Sequence, residues 1–179
     1  KDKKDTNSII LSDIKENSSS SLKYVQLDAM NYSELEKTVK DFKISEIYHL
    51  AAILSARGEE NPMLTWDLNM NSLFNVLELA KNKLVEKIFW PSSISVFGNN
   101  TPKVETDQFS IKEPTTVYGI SKLAGERWCE YYNSKYDSIF LIYENDCHFK
   151  LVGYFDDKII SYFNDKTIPY ELKTLYRLN

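Results

Sequence analysis

Short hydrophobic runs alternate along the chain with stretches in which apolar residues recur every three or four positions. The runs are rich in β-branched and aromatic residues and predict strands, whereas the periodic stretches predict helices. Strands that alternate with helices are typical of an α/β fold with a doubly wound, mostly parallel sheet. The predicted strands are 8–13, 24–28, 44–50, 87–92 and 138–143, and the predicted helices are 31–42, 62–84 and 116–136.

The predicted helix 62–84 is apolar on two faces. Pro62 stands near its first turn, a position that proline favours. Because a helix with two apolar strips packs against two surfaces, we expect a second element besides the sheet to cover it. One strip consists of Met63, Trp66, Met70, Leu73, Leu77 and Ala80, and the other of Leu64, Leu68, Val76 and Leu79.

The composition is that of a globular domain without a strong charge. Hydrophobic residues make up 42% of the 179 residues, and the formal net charge is -4, so we expect a packed core and no nucleic-acid partner. The longest apolar run, 47–54, is far shorter than the roughly 20 residues that span a bilayer, so we expect no membrane span. Cys129 and Cys147 form neither a disulfide framework nor a metal-binding motif. We therefore expect no metal site and a reducing intracellular compartment.

Tyr118 and Lys122 form the most informative pair in the sequence. On a helix, a spacing of four places the phenol and the ammonium on one face. A unit charge about 4 Å away, at an effective dielectric constant of about 20, lowers the free energy of the phenolate by roughly 4 kcal/mol. We therefore expect a tyrosine whose pKa falls towards neutrality and that can act as a general base. By itself, the pattern is more often a chance pair on a surface helix.

Several strand ends carry polar groups, and ligands of open α/β sheets bind at the carboxyl ends of the strands. Ser92, Ser93 and Ser95 follow the predicted strand 87–92, where a hydroxyl could bind a substrate oxygen. Taken singly, these serines are more typical of turns and caps. Segment 49–52 contains a histidine and two alanines, and its histidine alone is typical of a satisfied core residue.

Two aspartates also end predicted strands. Asp13 could accept hydrogen bonds from a ribose diol, and Asp28 could accept one from an adenine amino group. As isolated acids, both are more typical of helix caps or solvated charges.

Taken together and in this order, these features resemble the extended short-chain dehydrogenase/reductases. The resemblance covers about residues 8–136, and within that family it is strongest to the NAD-dependent L-threonine 3-dehydrogenases. The segments that carry the overall likeness are Asp13, Asp28, 49–52, 69–78, 92–93 and 118–122, and those that indicate the branch are 51–56, 89–94, 113–122 and 124–132.

The resemblance implies a Rossmann-type fold and oxidation of L-threonine at its 3-hydroxyl, with hydride transfer to NAD, to give 2-amino-3-oxobutyrate. Tyr118 would take the hydroxyl proton, Lys122 would lower the pKa of Tyr118 and hold the nicotinamide ribose, and Ser93 would position the reacting oxygen. Ser95 is the alternative to Ser93. Ser55 would lie close to the substrate.

The resemblance also implies a cofactor site and a dimer. The expected NAD-binding residues, besides Tyr118 and Lys122, are Asp13, Asp28, Leu50, Ala51, Ala52 and Asn69. The helices 62–84 and 116–136 correspond to those that form a four-helix bundle between subunits, so a homodimer is expected. The family occurs in the cytoplasm and in the mitochondrial matrix.

Two features depart from the family pattern. No Gly-x-x-Gly-x-x-Gly occurs in the 179 residues, and the strand 138–143 is not followed by Pro-Gly. We therefore expect a partial NAD-binding domain at 1–136, incomplete at its N-terminal βα unit, and a divergent segment at 137–179 in which 155–163 could form a helix. The chain opens on Lys1, so we expect its natural start to lie upstream. The alternatives are a sugar-nucleotide epimerase or dehydratase of the same superfamily, and a truncated, non-catalytic remnant that keeps the dimerisation helices.

Overall fold

A computed structural model describes residues 9–16, 22–104, 110–136, 139–143, 151–152 and 174–178. Seven strands form one sheet in the order β2-β1-β7-β3-β4-β5-β6. The pairs β1/β2, β3/β4 and β4/β5 are parallel, as predicted for a doubly wound sheet. The strands are β1 (Ile9–Asp13), β2 (Lys23–Gln26), β3 (Ile44–His49), β4 (Lys87–Pro91), β5 (Ile139–Tyr143), β6 (Leu151–Val152) and β7 (Thr174–Leu178).

Strand β7 lies in the middle of the sheet and runs antiparallel to both of its neighbours. Thr174 pairs with Ser12 of β1 and with His49 of β3, so β7 begins at the carboxyl ends of those two strands. The sequence pattern did not predict this strand. β5, β6 and β7 all come from the segment 137–179, and they join the same sheet as the strands before them.

Four α-helices connect the strands in the described part of the chain, and the predicted helix 155–163 lies outside that part. The helix after β2 begins behind Asn31, whose side chain accepts a hydrogen bond from the Glu34 amide, and the next long helix begins with Pro62 behind an Asn61 cap. Both caps follow the preferences of helix N-termini. The helices are α1 (Tyr32–Asp41), α2 (Ser55–Gly58), α3 (Pro62–Lys81) and α4 (Val117–Tyr136), with a short 3₁₀ helix at Ile94–Val96.

Helix α3 ends three residues before the predicted position 84. Lys83 adopts a φ of 56°, in the left-handed region, and its amide donates to the Ala80 carbonyl. The Leu84 amide donates to the Leu79 carbonyl. These two hydrogen bonds form a Schellman motif with a lysine at the position that glycine usually takes, and they terminate the helix.

The core lies between the sheet and helices α1, α3 and α4. Most of the two predicted strips of α3 are buried, but Met63 and Leu64 in its first turn are exposed. The described residues include no helix long and apolar enough to cross a membrane and no cluster of side chains suited to a metal ion. The fully buried core side chains include Ile10, Leu35, Ile47, Leu73, Leu77 and Ile88.

Candidate active site

The first turn of α4 carries Tyr118 and is fixed by two side-chain caps. The Val117 amide donates to Glu59 Oε1 at 2.8 Å, and the Gly119 amide donates to Thr116 Oγ1 at 3.0 Å. These contacts satisfy N–H groups that the start of a helix otherwise leaves unpaired. Tyr118 is therefore held at a defined position against the segment that follows β4.

The structure brings Ser93 into hydrogen-bonding contact with Tyr118. Burial raises the pKa of Tyr118 above its ordinary value, and a hydrogen bond with the Ser93 side chain opposes that shift. Ser93 Oγ also accepts a hydrogen bond from the Ser95 amide at 3.2 Å. A Cβ atom added to Gly119 would stand 2.2 Å from the Ser95 carbonyl oxygen, so the close approach of α4 to this turn requires glycine. The structure thus joins Ser93 and Tyr118 in one site.

Ser95, the alternative to Ser93, has a buried hydroxyl oxygen without a partner among the described residues. The contact with Tyr118 belongs to Ser93.

Lys122 is buried beneath Tyr118 on the same helix face. Its ammonium donates to the Pro91 carbonyl oxygen at 2.6 Å and lies 4.2 Å from the Trp90 ring centroid, compared with 5.5 Å from the Tyr118 ring centroid. Burial lowers the pKa of Lys122 to about 7. The expectation that Lys122 lowers the pKa of Tyr118 is wrong for this conformation, because the ammonium is directed to the carbonyl at the end of β4 and burial of the phenol dominates.

His49 ends β3 and is buried beside this group. Its Nε2 lies 3.0 Å from Ser72 Oγ, and its Nδ1 has no partner among the described residues. Burial, and then the positive charge of Lys122, lower the pKa of His49 to about 3. The imidazole is therefore neutral at physiological pH and acts as a core residue.

Asn69, on α3, holds the turn that follows β3. Its Oδ1 accepts from the Ile53 amide at 2.8 Å, and its Nδ2 donates to the Ile53 carbonyl and to Ser121 Oγ, both at 3.2 Å. Both N–H groups of the amide are used within the protein. Asn69, predicted as a cofactor contact, thus ties α3 to α4 and to the segment after β3.

The residues predicted for adenosine binding lie at two strand ends and in one turn. Asp13 ends β1, where its Oδ1 accepts from the Lys15 amide at 3.1 Å, and Asp28 follows β2 and accepts from the Met30 amide at 2.9 Å. Leu50, Ala51 and Ala52 follow β3 and are partly buried. Ser55, the predicted substrate contact, is partly buried at the start of α2.

The residues fit the two ends of a dinucleotide better than its centre. Carboxylates and small residues suit an adenosine, and Ser93, Tyr118 and Lys122 suit a nicotinamide ribose and a reacting alcohol. Between β1 and β3, however, β7 presents its first residue at the carboxyl edge, where a strand-to-helix turn usually binds pyrophosphate. The described residues therefore include candidates for the two ends of a dinucleotide site but no phosphate-binding turn.

Sequence reasoning missed one buried group beside the site. Glu126 lies one turn after Lys122 and is fully buried, with Ser92 and Lys112 as its hydrogen-bond partners. Its spacing of four from Lys122 was the available signal. A carboxylate at that spacing points to the same helix face.

A largely parallel sheet, with Ser93 after the end of β4 and with Tyr118 and Lys122 on the adjacent helix α4, defines the class of the protein as a Rossmann-type protein of the short-chain dehydrogenase/reductase kind. The chain belongs to the NAD-dependent epimerase/dehydratase family, whose sequence model matches residues 3–165.

The similar proteins divide into uncharacterised relatives and named structures. Uncharacterised epimerase/dehydratases of Staphylococcus aureus are 46% identical over 110 residues, which cover 62% of this chain and 34% of theirs. A GalE-like L-threonine dehydrogenase from Cupriavidus necator is 46% identical, with a TM-score of 0.72 over 74% of this chain and 44% of that one. A monomeric L-threonine 3-dehydrogenase from a metagenome is 42% identical, with a TM-score of 0.74 over 76% of this chain and 44% of that one. The chain thus spans about a third of the length of the curated relatives and less than half of these structures.

Proposed function

We propose that this chain is part of an NAD-dependent dehydrogenase that oxidises L-threonine at its 3-hydroxyl to 2-amino-3-oxobutyrate. The observation that carries the proposal is the hydrogen bond between Ser93 and Tyr118 above a buried Lys122. The choice of threonine is supported by the two named structures, which are dehydrogenases of that amino acid.

Bound NAD would supply the acceptor for the hydride that leaves the substrate carbon. Ser93 donates a hydrogen bond that orients the reacting oxygen, and Tyr118 accepts the hydroxyl proton. Burial raises the pKa of Tyr118, and its hydrogen bond with Ser93 opposes that shift. Lys122, on the same helix, would hold the nicotinamide ribose. Ser55, at the start of α2, would lie close to the substrate. Asp13, Asp28 and the residues Leu50, Ala51 and Ala52 would hold the adenosine, and Asn69 would keep their turn in place.

Two other functions are compatible with the same site. A sugar-nucleotide epimerase or dehydratase would use the same Ser93, Tyr118 and Lys122, and the curated relatives are of unassigned activity within that family. A non-catalytic remnant that keeps the dimerisation helices is the other candidate. Substrate turnover separates these possibilities.

The test is a calorimetric titration of the chain with NAD, followed at saturation by the L-threonine-dependent rise in NADH absorbance. We expect binding and turnover, with Tyr118→Phe lowering the rate by at least a hundredfold because the proton acceptor is lost. Tyr131→Phe, an exposed position roughly three to four turns further along α4, is the matched control and should keep the rate. Turnover of a nucleotide sugar instead of threonine supports the epimerase. A folded chain that does not bind NAD supports the remnant.

We further propose that α3 and α4 form the interface of a homodimer. Large apolar side chains on these helices are exposed, and Trp128 packs edge-on against Phe74 at 5.1 Å between centroids. Light scattering at micromolar concentration should give the mass of a dimer, and Trp128→Lys should give a monomer. A monomeric mass for the unmodified chain contradicts this proposal. The exposed side chains are Met63, Leu64, Ile120, Trp128 and Tyr131.

A further inference from the structure

Glu126 is a fully buried carboxylate that joins three elements of the candidate site. Ser92 Oγ, at the end of β4, donates to its Oε1 at 2.5 Å, and Lys112 Nζ donates to its Oε2 at 2.6 Å. The side chain of Lys112 is itself 8% exposed, so the ion pair is removed from water. Such a pair costs stability unless both charges keep close partners, which the two short hydrogen bonds provide.

Both hydrogen-bond partners of Glu126 lie in segments that position Tyr118. Ser92 precedes Ser93, whose hydroxyl binds Tyr118, and Lys112 lies in the segment that enters α4. This segment is also tied to the turn at Gly98–Thr101, because Thr101 Oγ1 donates to the Ile111 carbonyl at 2.8 Å. A displacement of the Glu126 carboxylate would therefore move both the residue before Ser93 and the segment that leads into Tyr118.

Glu126 also acts on Lys122 through its charge. The titratable groups that face Lys122 are His49 of β3 and Tyr118, Glu126 and Cys129 of α4. Burial lowers the pKa of Lys122, and Cys129 and Glu126 oppose that shift. Burial raises the pKa of Cys129 far above neutrality, so its thiol is uncharged at pH 7 and Glu126 supplies the negative charge.

We propose that Glu126 is a positioning residue of the site: held by Ser92 and Lys112, it fixes Ser93 against Tyr118 and places a negative charge one turn from Lys122 on the same helix. Lys112 has the opposite electrostatic effect, because its ammonium offsets the field of the carboxylate. The catalytic meaning of this arrangement rests on the function proposed above. The charge state of Lys122 is a property of the chain by itself and can be measured without substrate.

The test is an NMR titration of the chain labelled with ¹³C at the lysine ε-carbons. We expect the Trp90 ring, whose centroid lies 4.2 Å from the Lys122 ammonium, to shift the signal of Lys122, which is assigned by its loss in Lys122→Met. Glu126→Gln keeps the volume and an acceptor for Ser92 but removes the charge, and we expect it to lower the midpoint of Lys122 by about one pH unit. Lys112→Met removes the opposing charge and should raise that midpoint.

Opposite shifts of the Lys122 midpoint in the two variants support the proposal, whereas a purely structural role predicts that both variants raise it. If Glu126 only held the packing, either variant would loosen the site, hydrate Lys122 and raise its midpoint. Shifts in the same direction, or no shift in either variant, overturn the proposal. Glu130→Gln, one turn further along α4, is the matched control and should leave the midpoint within about 0.3 pH unit. None of these outcomes depends on threonine turnover, so failure of the proposed function remains distinguishable.

Discussion

At the scale of single residues, the candidate site places ionisable groups where their charged forms are costly. Lys122 and His49 are both buried, and each has a pKa below its ordinary value because of that burial. Each of these groups binds its proton more weakly in the folded chain than in the unfolded chain. Each therefore lowers the free energy of unfolding wherever the unfolded chain would be protonated. Residues of functional sites commonly lower the stability of a protein in this way.

Lys122→Met should stabilise the protein at neutral pH. Unfolded lysine stays protonated up to about pH 10.4, whereas Lys122 in the folded chain loses its proton near pH 7. Between these values the unfolded chain binds more protons, so stability rises with pH, and below pH 7 the full penalty of burial remains. Urea denaturation should show a gain of a few kcal/mol at pH 6 that shrinks towards pH 10. Lys37→Met, at an exposed lysine, should change stability by less than about 0.5 kcal/mol at either pH.

His49→Gln should remove part of the acid sensitivity of the fold. The imidazole has a folded pKa of about 3, below the unfolded value of about 6.5, so stability is lost as pH falls from 6.5 through 3. Urea denaturation between pH 7 and pH 4 should give a flatter curve for the variant than for the unmodified chain. Ser72→Ala removes the partner of Nε2 but keeps the titrating group, so its curve should lie lower with an unchanged slope. Equal slopes for His49→Gln and the unmodified chain would count against this account.

At the scale of elements, helix α4 organises the site by close packing. A Cβ at Gly119 would meet the Ser95 carbonyl oxygen at 2.2 Å, and one at Gly125 would meet the Trp90 ring at 2.3 Å. The helix therefore approaches the end of β4 at two points one to two turns apart. This approach sets the distance between Tyr118 and Ser93.

Gly119→Ala should destabilise the protein although alanine favours helices by about 1 kcal/mol over glycine. The carbonyl of Ser95 is backbone and cannot move away without shifting the turn that carries Ser93, so we expect a net loss of 1–3 kcal/mol, as is usual for roughly one methyl too many in a packed site. Denaturation midpoints measure it. Gly58→Ala is the comparison, because the nearest atom to its added Cβ is a side-chain methyl of Thr65 at 3.0 Å, which is a milder clash than 2.2 Å from a backbone oxygen. A smaller loss in Gly119→Ala than in Gly58→Ala would refute the packing argument.

The sequence was sufficient for contacts that depend on local spacing. The start of α3 at Pro62 follows from the preference of proline for the first turn of a helix. The roles of Ser93 and Tyr118, by contrast, came from the family resemblance. The direction of the Lys122 side chain could not be predicted, since it depends on a carbonyl in another element. The role of Glu126 was missed for the same reason, because Lys112 reaches it from a distant segment.

At the scale of the whole molecule, β7 is the feature that the pattern of the chain could not reveal. Five residues in an aromatic-rich segment carry no periodicity that distinguishes a central strand from an edge strand. In the structure they join β1/β2 to β3/β4/β5, so the sheet is continuous only through β7.

Tyr176→Pro should disrupt the sheet at its centre. Residue 176 pairs with Ile10 on one side and Ile47 on the other, and proline removes a backbone donor from that ladder. We expect a loss of about 3 kcal/mol or more in the free energy of unfolding, together with faster amide exchange in β1 and β3. Val152→Pro in the edge strand β6 is the comparison and should cost less. Equal costs at the two positions would show that β7 does not bridge the sheet.

The position of β7 also governs how fast the protein can fold. Ile9 pairs with Arg177, and Ile44 with Leu178, so both ladders of the central strand join residues at great sequence separation. The parallel pair β1/β2 and the parallel strands β3/β4/β5 join segments that are closer in sequence, so they can form earlier. Until β7 pairs, β1 and β3 each have an unpaired edge. High contact order makes the closing step slow, and such edges are sites of aggregation while it is pending. Yield on refolding should therefore fall steeply with protein concentration, even where the finished fold is stable.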